Sequence, residues 1–481
     1  MDTNDKNIVA IDLGSSKVAL TVAKVNGEDI QIIYYRETPS AGIRYSSVYN
    51  VTQAAGPVAE IIRQAEEDLG MKITQAVVGM PKFPIRQESS NATIHDRGED
   101  TDITAENIKE LKRFAQSLYP IENEAKETVY GAVAQSFSDG ENFQIIEDDI
   151  VGMTSDTLEG NFKIFIGKKS DLTKIDTAMT KAGTVAMRKY FTAESTAKAV
   201  LRSSEMENGV ALIDFGGGCT SVAIYHGNIM RHYASIPFGG KNITYDIKNE
   251  CQISERLAEN IKLEYGACMP DKLLSLSDKI LNIRSSVATG DKQLAVKYLS
   301  EIITARVEEI MMAMLYEIER SGFADLLRSG IVVTGGSAQL ANLSGFIYDL
   351  SGYKVRIGYP NKMFSCDGCD GLTETSAATS IGLILTAIQD QTVGCTIGEL
   401  PGSGKTVEVT EIGVPGNSEQ PQGRIFDDRQ LEETGTASQP QTQTIKDNAI
   451  KMTFRKIRKG FDTTLGNLFD SLDENGEEGN N

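Results

Sequence analysis

Residues 8–17, Ile-Val-Ala-Ile-Asp-Leu-Gly-Ser-Ser-Lys, and residues 210–221, Val-Ala-Leu-Ile-Asp-Phe-Gly-Gly-Gly-Cys-Thr-Ser, follow one plan. Each is an apolar run that reaches an aspartate and then breaks into glycine and hydroxyl residues. Each resumes as an apolar run, Val18–Val22 or Val222–Tyr225, and turns at Asn26-Gly27 or Gly227-Asn228. Short apolar runs bounded by turn residues read as strands, so these are two β-hairpins of one design about 200 residues apart. A single Asp-x-Gly turn is common and says little. Two in matching positions point to an internal duplication facing a shared ligand. A tight glycine turn lets backbone N–H groups close on an anion, and an aspartate at a strand end can hold a metal. Together they read as a phosphate clamp.

The bulk of the chain bounds what surrounds that clamp. At 481 residues it is too long for one ordinary core. A net charge of −19 excludes a general nucleic-acid binder, which needs basic surface, and makes the basic stretch 451–459 stand out. Met1–Asn7 is polar, with no signal-peptide pattern, and no run of 18 apolar residues exists to span a bilayer as a helix. The six cysteines are scattered, as expected of reduced thiols in a cytoplasmic protein. Cys366-Asp-Gly-Cys369 has no second pair and no nearby histidine to complete a metal site. Leu400-Pro-Gly-Ser-Gly-Lys-Thr406 imitates a P-loop, but Glu399 stands where the pattern needs glycine, and no strand precedes it.

Strands are expected at 8–13, 18–25 and 30–36, a helix at about 52–69 and a strand at Gln75–Val78. Residues 81–168 turn polar and read as a small α+β module. Its helix starts at Thr104 as N-cap, with Asn107 where a capping box would place Glu. Its strands fall near 127–137 and 161–167. A helix at 171–182, a strand at 188–192 and a helix at 193–203 return to the first architecture. The second hairpin then opens a further domain, with helices at 253–265, 293–321 and 375–389 and a buried strand Ile331–Thr334 running into Gly335-Gly336. Met311, Met312 and Met314 sit at helix spacing and read as core. Residues 391–447 are rich in Gly, Pro, Gln, Thr and Glu and read as a disordered linker.

The fold expected is therefore α/β and duplicated. Residues 7–80 and 169–203 form the first domain around the module 81–168. Residues 204–390 form the second, with 250–330 as its outer part. The candidate phosphate residues are Gly14, Ser15, Ser16 and Lys17 from one hairpin and Gly216, Gly217, Gly218 and Thr220 from the other. Asp12 and Asp214 would hold Mg²⁺ through its waters. Gly335 and Gly336, followed by Ser337, would let the backbone approach a flat base or an α-phosphate. Taken singly, each has a plainer role as a turn glycine, a turn cap or a solvated charge.

In their order along the chain these segments resemble the actin/Hsp70/sugar-kinase superfamily, whose fold is actin-like (ribonuclease H-like). Within it the chain resembles the FtsA family of bacterial cell-division proteins. Five stretches carry this resemblance: 211–220 (Ala-Leu-Ile-Asp-Phe-Gly-Gly-Gly-Cys-Thr), 236–247, 258–266, 332–340 and 355–360. The resemblance implies two actin-like domains closing on ATP, with an inserted subdomain at 81–168. Ala193–Ala199 and Ala377–Leu383 would be the connecting segments, and Glu259 and Lys262 would contact the ribose or adenine. Ser195 stands where the family usually has proline, and Cys219 where it often has threonine, which leaves the second turn one hydroxyl short. Hydrolysis, if any, should be slow, because no general base is evident near either turn.

Residues 448–473 form a second pattern. At 100° per residue, Ile450, Phe454, Ile457, Phe461, Leu465, Leu468, Phe469 and Leu472 fall on one stripe, with Lys451, Arg455, Lys456, Arg458 and Lys459 beside or opposite it. Such a helix suits an anionic lipid surface, and Gly460 and Gly466 favour its folding only there. FtsA proteins end in such a helix. By resemblance the chain would polymerise on the cytoplasmic face of the cell membrane at the division site. It would dock the C-terminal tail of the tubulin-like FtsZ and meet other division proteins. A small-molecule kinase of the same superfamily, or a pilus-assembly relative, stands as the alternative; neither would explain the terminal helix.

Overall fold

A computed structural model describes residues 7–27, 29–95, 101–283, 292–360, 364–366, 369 and 371–399. Two sheets of like topology organise them. In the first, Asn7–Leu13, Lys17–Asn26 and Asp29–Pro39 form an antiparallel meander. Gln75–Gly79 then adds parallel to Asn7–Leu13, and Val185–Tyr190 adds parallel to Gln75–Gly79. In the second, Val210–Phe215, Thr220–His226 and Ile229–Ile236 form the meander. Ile331–Thr334 and Val355–Ile357 add on the other side in parallel. Parallel neighbours need a crossover. Helix Val51–Leu69 supplies one in the first sheet, and helices including Val296–Arg320 and Leu343–Ser351 supply those in the second.

The duplication extends to register. The last pair of the first hairpin is Leu13↔Val18 and that of the second is Phe215↔Thr220, so each turn encloses four residues. Asp12 pairs with Ala19 and Asp214 with Ser221, one step back from the turn in both. By this register Cys219 is the counterpart of Lys17.

Between the sheets runs a core that includes Ile8, Ala10, Phe191, Leu212, Tyr233, Val332 and Ile381. Two helices cross within it, Thr192–Val200 and Ala378–Gln389. Their contact faces are small and hydroxylated: Thr386 Oγ1 donates to Ser195 Oγ at 3.1 Å, and Thr196 and Thr379 share a 3.1 Å hydroxyl pair. Ser195, the departure from proline, is fully buried in this joint. Met311 and Met314 on Val296–Arg320 are core residues as expected, and Met312 is half-buried.

Residues 86–168 build a third, antiparallel sheet in the order Arg86–Ile94, Leu158–Lys168, Glu127–Ser138, covered by helix Ala105–Leu118. Its first strand was not anticipated, because the run Arg-Gln-Glu-Ser-Ser-Asn-Ala-Thr-Ile carries almost no apolar signal. Thr104 caps the helix, and Asn107 completes the box in place of Glu by accepting from the Thr104 N–H at 2.9 Å. This sheet leans on the second sheet's meander. Gln135 donates to Met230 O at 3.0 Å, Arg231 donates to Gln135 O at 2.9 Å, and the Tyr233 N–H donates to Gln87 at 3.0 Å.

The stretch 391–447, read from composition as a linker, starts with ordered chain. Thr396–Glu399 pairs with Met71–Ile73, Cys395 is buried, and Asn7 O accepts from the Gly394 and Cys395 N–H groups. Four residues of edge pairing with distant partners leave no periodic signature. The expected lipid-binding helix 448–473 lies outside the described residues.

Candidate functional site

Both hairpin turns open with a glycine for one steric reason. A Cβ on Gly14 would stand 2.7 Å from Lys17 O, and one on Gly216 would stand 2.8 Å from Cys219 O. The turns then meet tip to tip. A Cβ on Gly217 would stand 2.0 Å from Ser16 Oγ, and one on Gly218 would stand 2.4 Å from Ser15 Oγ. Ser15 Oγ accepts from the Ser46 N–H at 2.9 Å, while Lys241 Nζ donates to Ser15 O at 2.6 Å.

On the far side of Gly216 the remaining expected residues gather around helix Gly240–Cys251. Ser337 Oγ donates to Gly216 O at 3.2 Å, and a Cβ on Gly240 would lie 2.4 Å from that same Oγ. Lys262 donates to Gly240 O at 3.0 Å, Thr244 Oγ1 at 2.9 Å and Glu259 at 2.8 Å, and Thr244 donates to Glu259. Glu259 and Lys262, three residues apart on one helix, thus form a polar knot with Thr244 instead of an isolated surface pair. Gly335 adopts φ +92°, a conformation side chains rarely take, and packs against Asp214 Oδ1 and Phe215 O, where a Cβ would stand 2.6 Å away. Gly336 follows it at the start of a short 3₁₀ turn.

Three expected roles change. Lys17 was expected to face phosphate, but its ammonium pairs with Glu37 across the sheet. Thr220 is fully buried and spends its hydroxyl on Phe238 O at 2.8 Å. Asp214 was expected to share a metal with Asp12; instead its carboxylate accepts from Lys82, a residue the sequence did not single out. Lys82 also donates to Thr379 Oγ1 at 3.3 Å. Burial opposes its charge, but Asp214 and Asp12 outweigh burial and hold the ammonium above the ordinary lysine value. Burial likewise raises the Asp12 carboxyl, against the pull of Lys82 and Lys17. A metal held jointly by Asp12 and Asp214 does not fit this arrangement. Among the described residues no group of three His, Cys, Asp or Glu side chains converges either.

Cys219 carries no charge to the site. Burial pushes its thiol up to about 12 despite Lys82 nearby. The site therefore offers backbone amides, Ser15, Ser16 and Ser337 hydroxyls, and the cations Lys82, Lys241 and Lys262. That set suits an anionic, phosphate-bearing ligand.

Duplicated sheets joined tip to tip at paired hairpins define an actin-like protein. A solved PilM–PilN type IV pilus biogenesis complex shares this fold, with a TM-score of 0.56 over 79% of this chain and 98% of that one at 13% identity. The sequence narrows the class. The family model described as cell division protein FtsA matches residues 211–382. The cell division protein FtsA of Neisseria meningitidis is 27% identical over 389 residues, which is 80% of this chain and 91% of that protein. That of Pseudomonas aeruginosa is 26% identical over 82% of this chain and 92% of its own length. That of Enterococcus faecalis is 25% identical over 96% of this chain and 98% of its own. Over most of its length the chain is therefore similar to the FtsA cell-division proteins. Among the described residues no helix is long and apolar enough to cross a membrane.

Proposed function

We propose that this chain is an ATP-binding scaffold of the division machinery. Nucleotide is held between the two hairpin turns, with the base toward Glu259, Lys262 and Ser337. Copies polymerise on the cytoplasmic face of the membrane, and the filaments tether FtsZ through its C-terminal tail. The observation that supports this best is the apposition of two equivalent glycine turns, Gly217 and Gly218 against Ser16 and Ser15, at the joint of two sheets of like topology. A ligand entering there touches both halves at once, so its presence sets how they close. The turns offer no histidine or free carboxylate aimed at a phosphate-bound water, so turnover is slow at most.

Electron microscopy of the full chain with ATP on an anionic lipid monolayer tests binding and assembly together. Filaments on the lipid are expected, and their absence with and without ATP would overturn the scaffold reading. Liposome flotation of the full chain beside a version ending at Thr444 isolates the terminal segment. Equal flotation of the two would remove the membrane claim. Robust phosphate transfer to a panel of sugars would favour a kinase instead.

A further inference from the structure

Lys82 lies in the short stretch joining strand Gln75–Gly79 to Arg86–Ile94, the first strand of the inserted sheet. Its side chain is 13% exposed and that of Asp214 is 8% exposed. Tyr233 fixes the backbone there by donating its hydroxyl to Lys82 O at 2.8 Å. The next residue, Phe83, meets Tyr45 edge to face at 6.3 Å, and a Cβ on Gly218 would stand 3.3 Å from Tyr45 N. Lys82 is thus anchored from the second sheet, helix Ala378–Gln389 and the turn that contacts Gly218.

An ammonium is costly to bury, and a structural filler at this point would more cheaply be apolar. The first turn's own cation, Lys17, acts on Asp12 but is engaged by Glu37, and its counterpart in the second turn is the neutral Cys219. The ammonium that acts on both Asp12 and Asp214, one step behind the two turns, is Lys82, brought from outside both hairpins.

We propose that Lys82 is the resident phosphate cation of this site, replacing a metal bridged between Asp12 and Asp214. When a nucleoside triphosphate enters between the turns, the ammonium shares its protons between Asp214 and the terminal phosphate. No bond is made or broken in this exchange. The proposal rests on the nucleotide reading above and adds two consequences. Binding depends only weakly on Mg²⁺, and the triphosphate gains more from Lys82 than the diphosphate does.

Calorimetric titration of ATP and ADP into the full chain, with Mg²⁺ and with EDTA, tests it. For the wild type, EDTA is expected to weaken ATP binding by less than about tenfold, and a larger loss overturns the proposal. Lys82→Met is expected to lose at least about tenfold in ATP affinity, less in ADP affinity, and to become more dependent on Mg²⁺, while Lys82→Arg retains most of the affinity. A folded Lys82→Met that binds ATP like the wild type, at unchanged Mg²⁺ dependence, overturns this proposal and leaves the nucleotide reading intact. A wild type that binds no nucleotide in either buffer removes both. Should Lys82→Met fail to fold, the wild-type comparison in EDTA decides alone.

Discussion

Gly382 lies so close beneath Ser195 that a Cβ on it would stand 2.0 Å from the Ser195 carbonyl oxygen. The obstacle is backbone and cannot swing aside, so helices Thr192–Val200 and Ala378–Gln389 approach closely only because residue 382 has no side chain. Gly382→Ala should push them apart and cost about 2–4 kcal/mol, read as a lower urea midpoint. Gly345→Ala is the control, because a Cβ there would meet only Met269 Sδ at 3.6 Å, an ordinary contact. Within helix Leu343–Ser351 that change should be neutral or stabilise by up to about 1 kcal/mol. Equal midpoints for the two variants would contradict the packing described.

Breaking the ion pair at the hairpins should be costly even without ligand. Asp214→Asn leaves the Lys82 ammonium buried with only Asp12 to answer it. A loss of about 3 kcal/mol in nucleotide-free unfolding is expected, since removing one partner strands the other charge. An unchanged midpoint would mean that Lys82 reaches solvent instead.

Arg356 gives a prediction with a pH signature. Its guanidinium holds Glu205 at 2.7 and 2.6 Å and donates to Val200 O at 3.1 Å, tying the last strand of the second sheet to the end of helix Thr192–Val200. Arg356→Ala should destabilise by about 1–3 kcal/mol near neutral pH. Burial pushes the Glu205 carboxyl up, but Arg356 and the Arg202 N–H outweigh it and hold it below its ordinary 4.5. A depressed carboxyl stabilises fully above its unfolded value and loses that contribution as pH falls through the folded one. The gap between wild type and variant should therefore shrink as pH drops below 4.5, measured by urea melts across the acid range.

Thiol chemistry tests the interior of the site. Burial raises Cys219 and Cys268 to about 12, so both stay protonated and unreactive through the neutral range. Iodoacetamide at mildly alkaline pH should leave both unlabelled in the native protein and label both in denaturant, as read by peptide mass spectrometry. Fast native labelling of Cys219 would show that the turns open widely.

Much of the architecture was legible in residue order. The paired hairpins, their glycine turns and the core stripe of Val296–Arg320 each follow from local periodicity and turn chemistry, which act over a few residues. The first strand of the inserted sheet was missed because its side chains are mostly polar, and partners such as Tyr233 for Gln87 and Glu127 for Arg86 lie far along the chain. The order in 396–399 was missed because edge pairing with Met71–Ile73 draws on backbone alone. Glu259 and Lys262 were placed correctly on one helix, yet their engagement with Thr244 depends on how that helix packs against its neighbour.

The sequence alone determined that this protein is a duplicated α/β fold with two glycine turns set one residue past an aspartate-bearing strand end. That much is written in short-range pattern. Only the tertiary structure decided which charges occupy the turns. Lys17 goes to Glu37, 20 residues away, and Asp214 goes to Lys82, 132 residues away. An ion pair is chosen by distance and burial after the chain has packed. Nothing in the neighbourhood of either residue announces its partner.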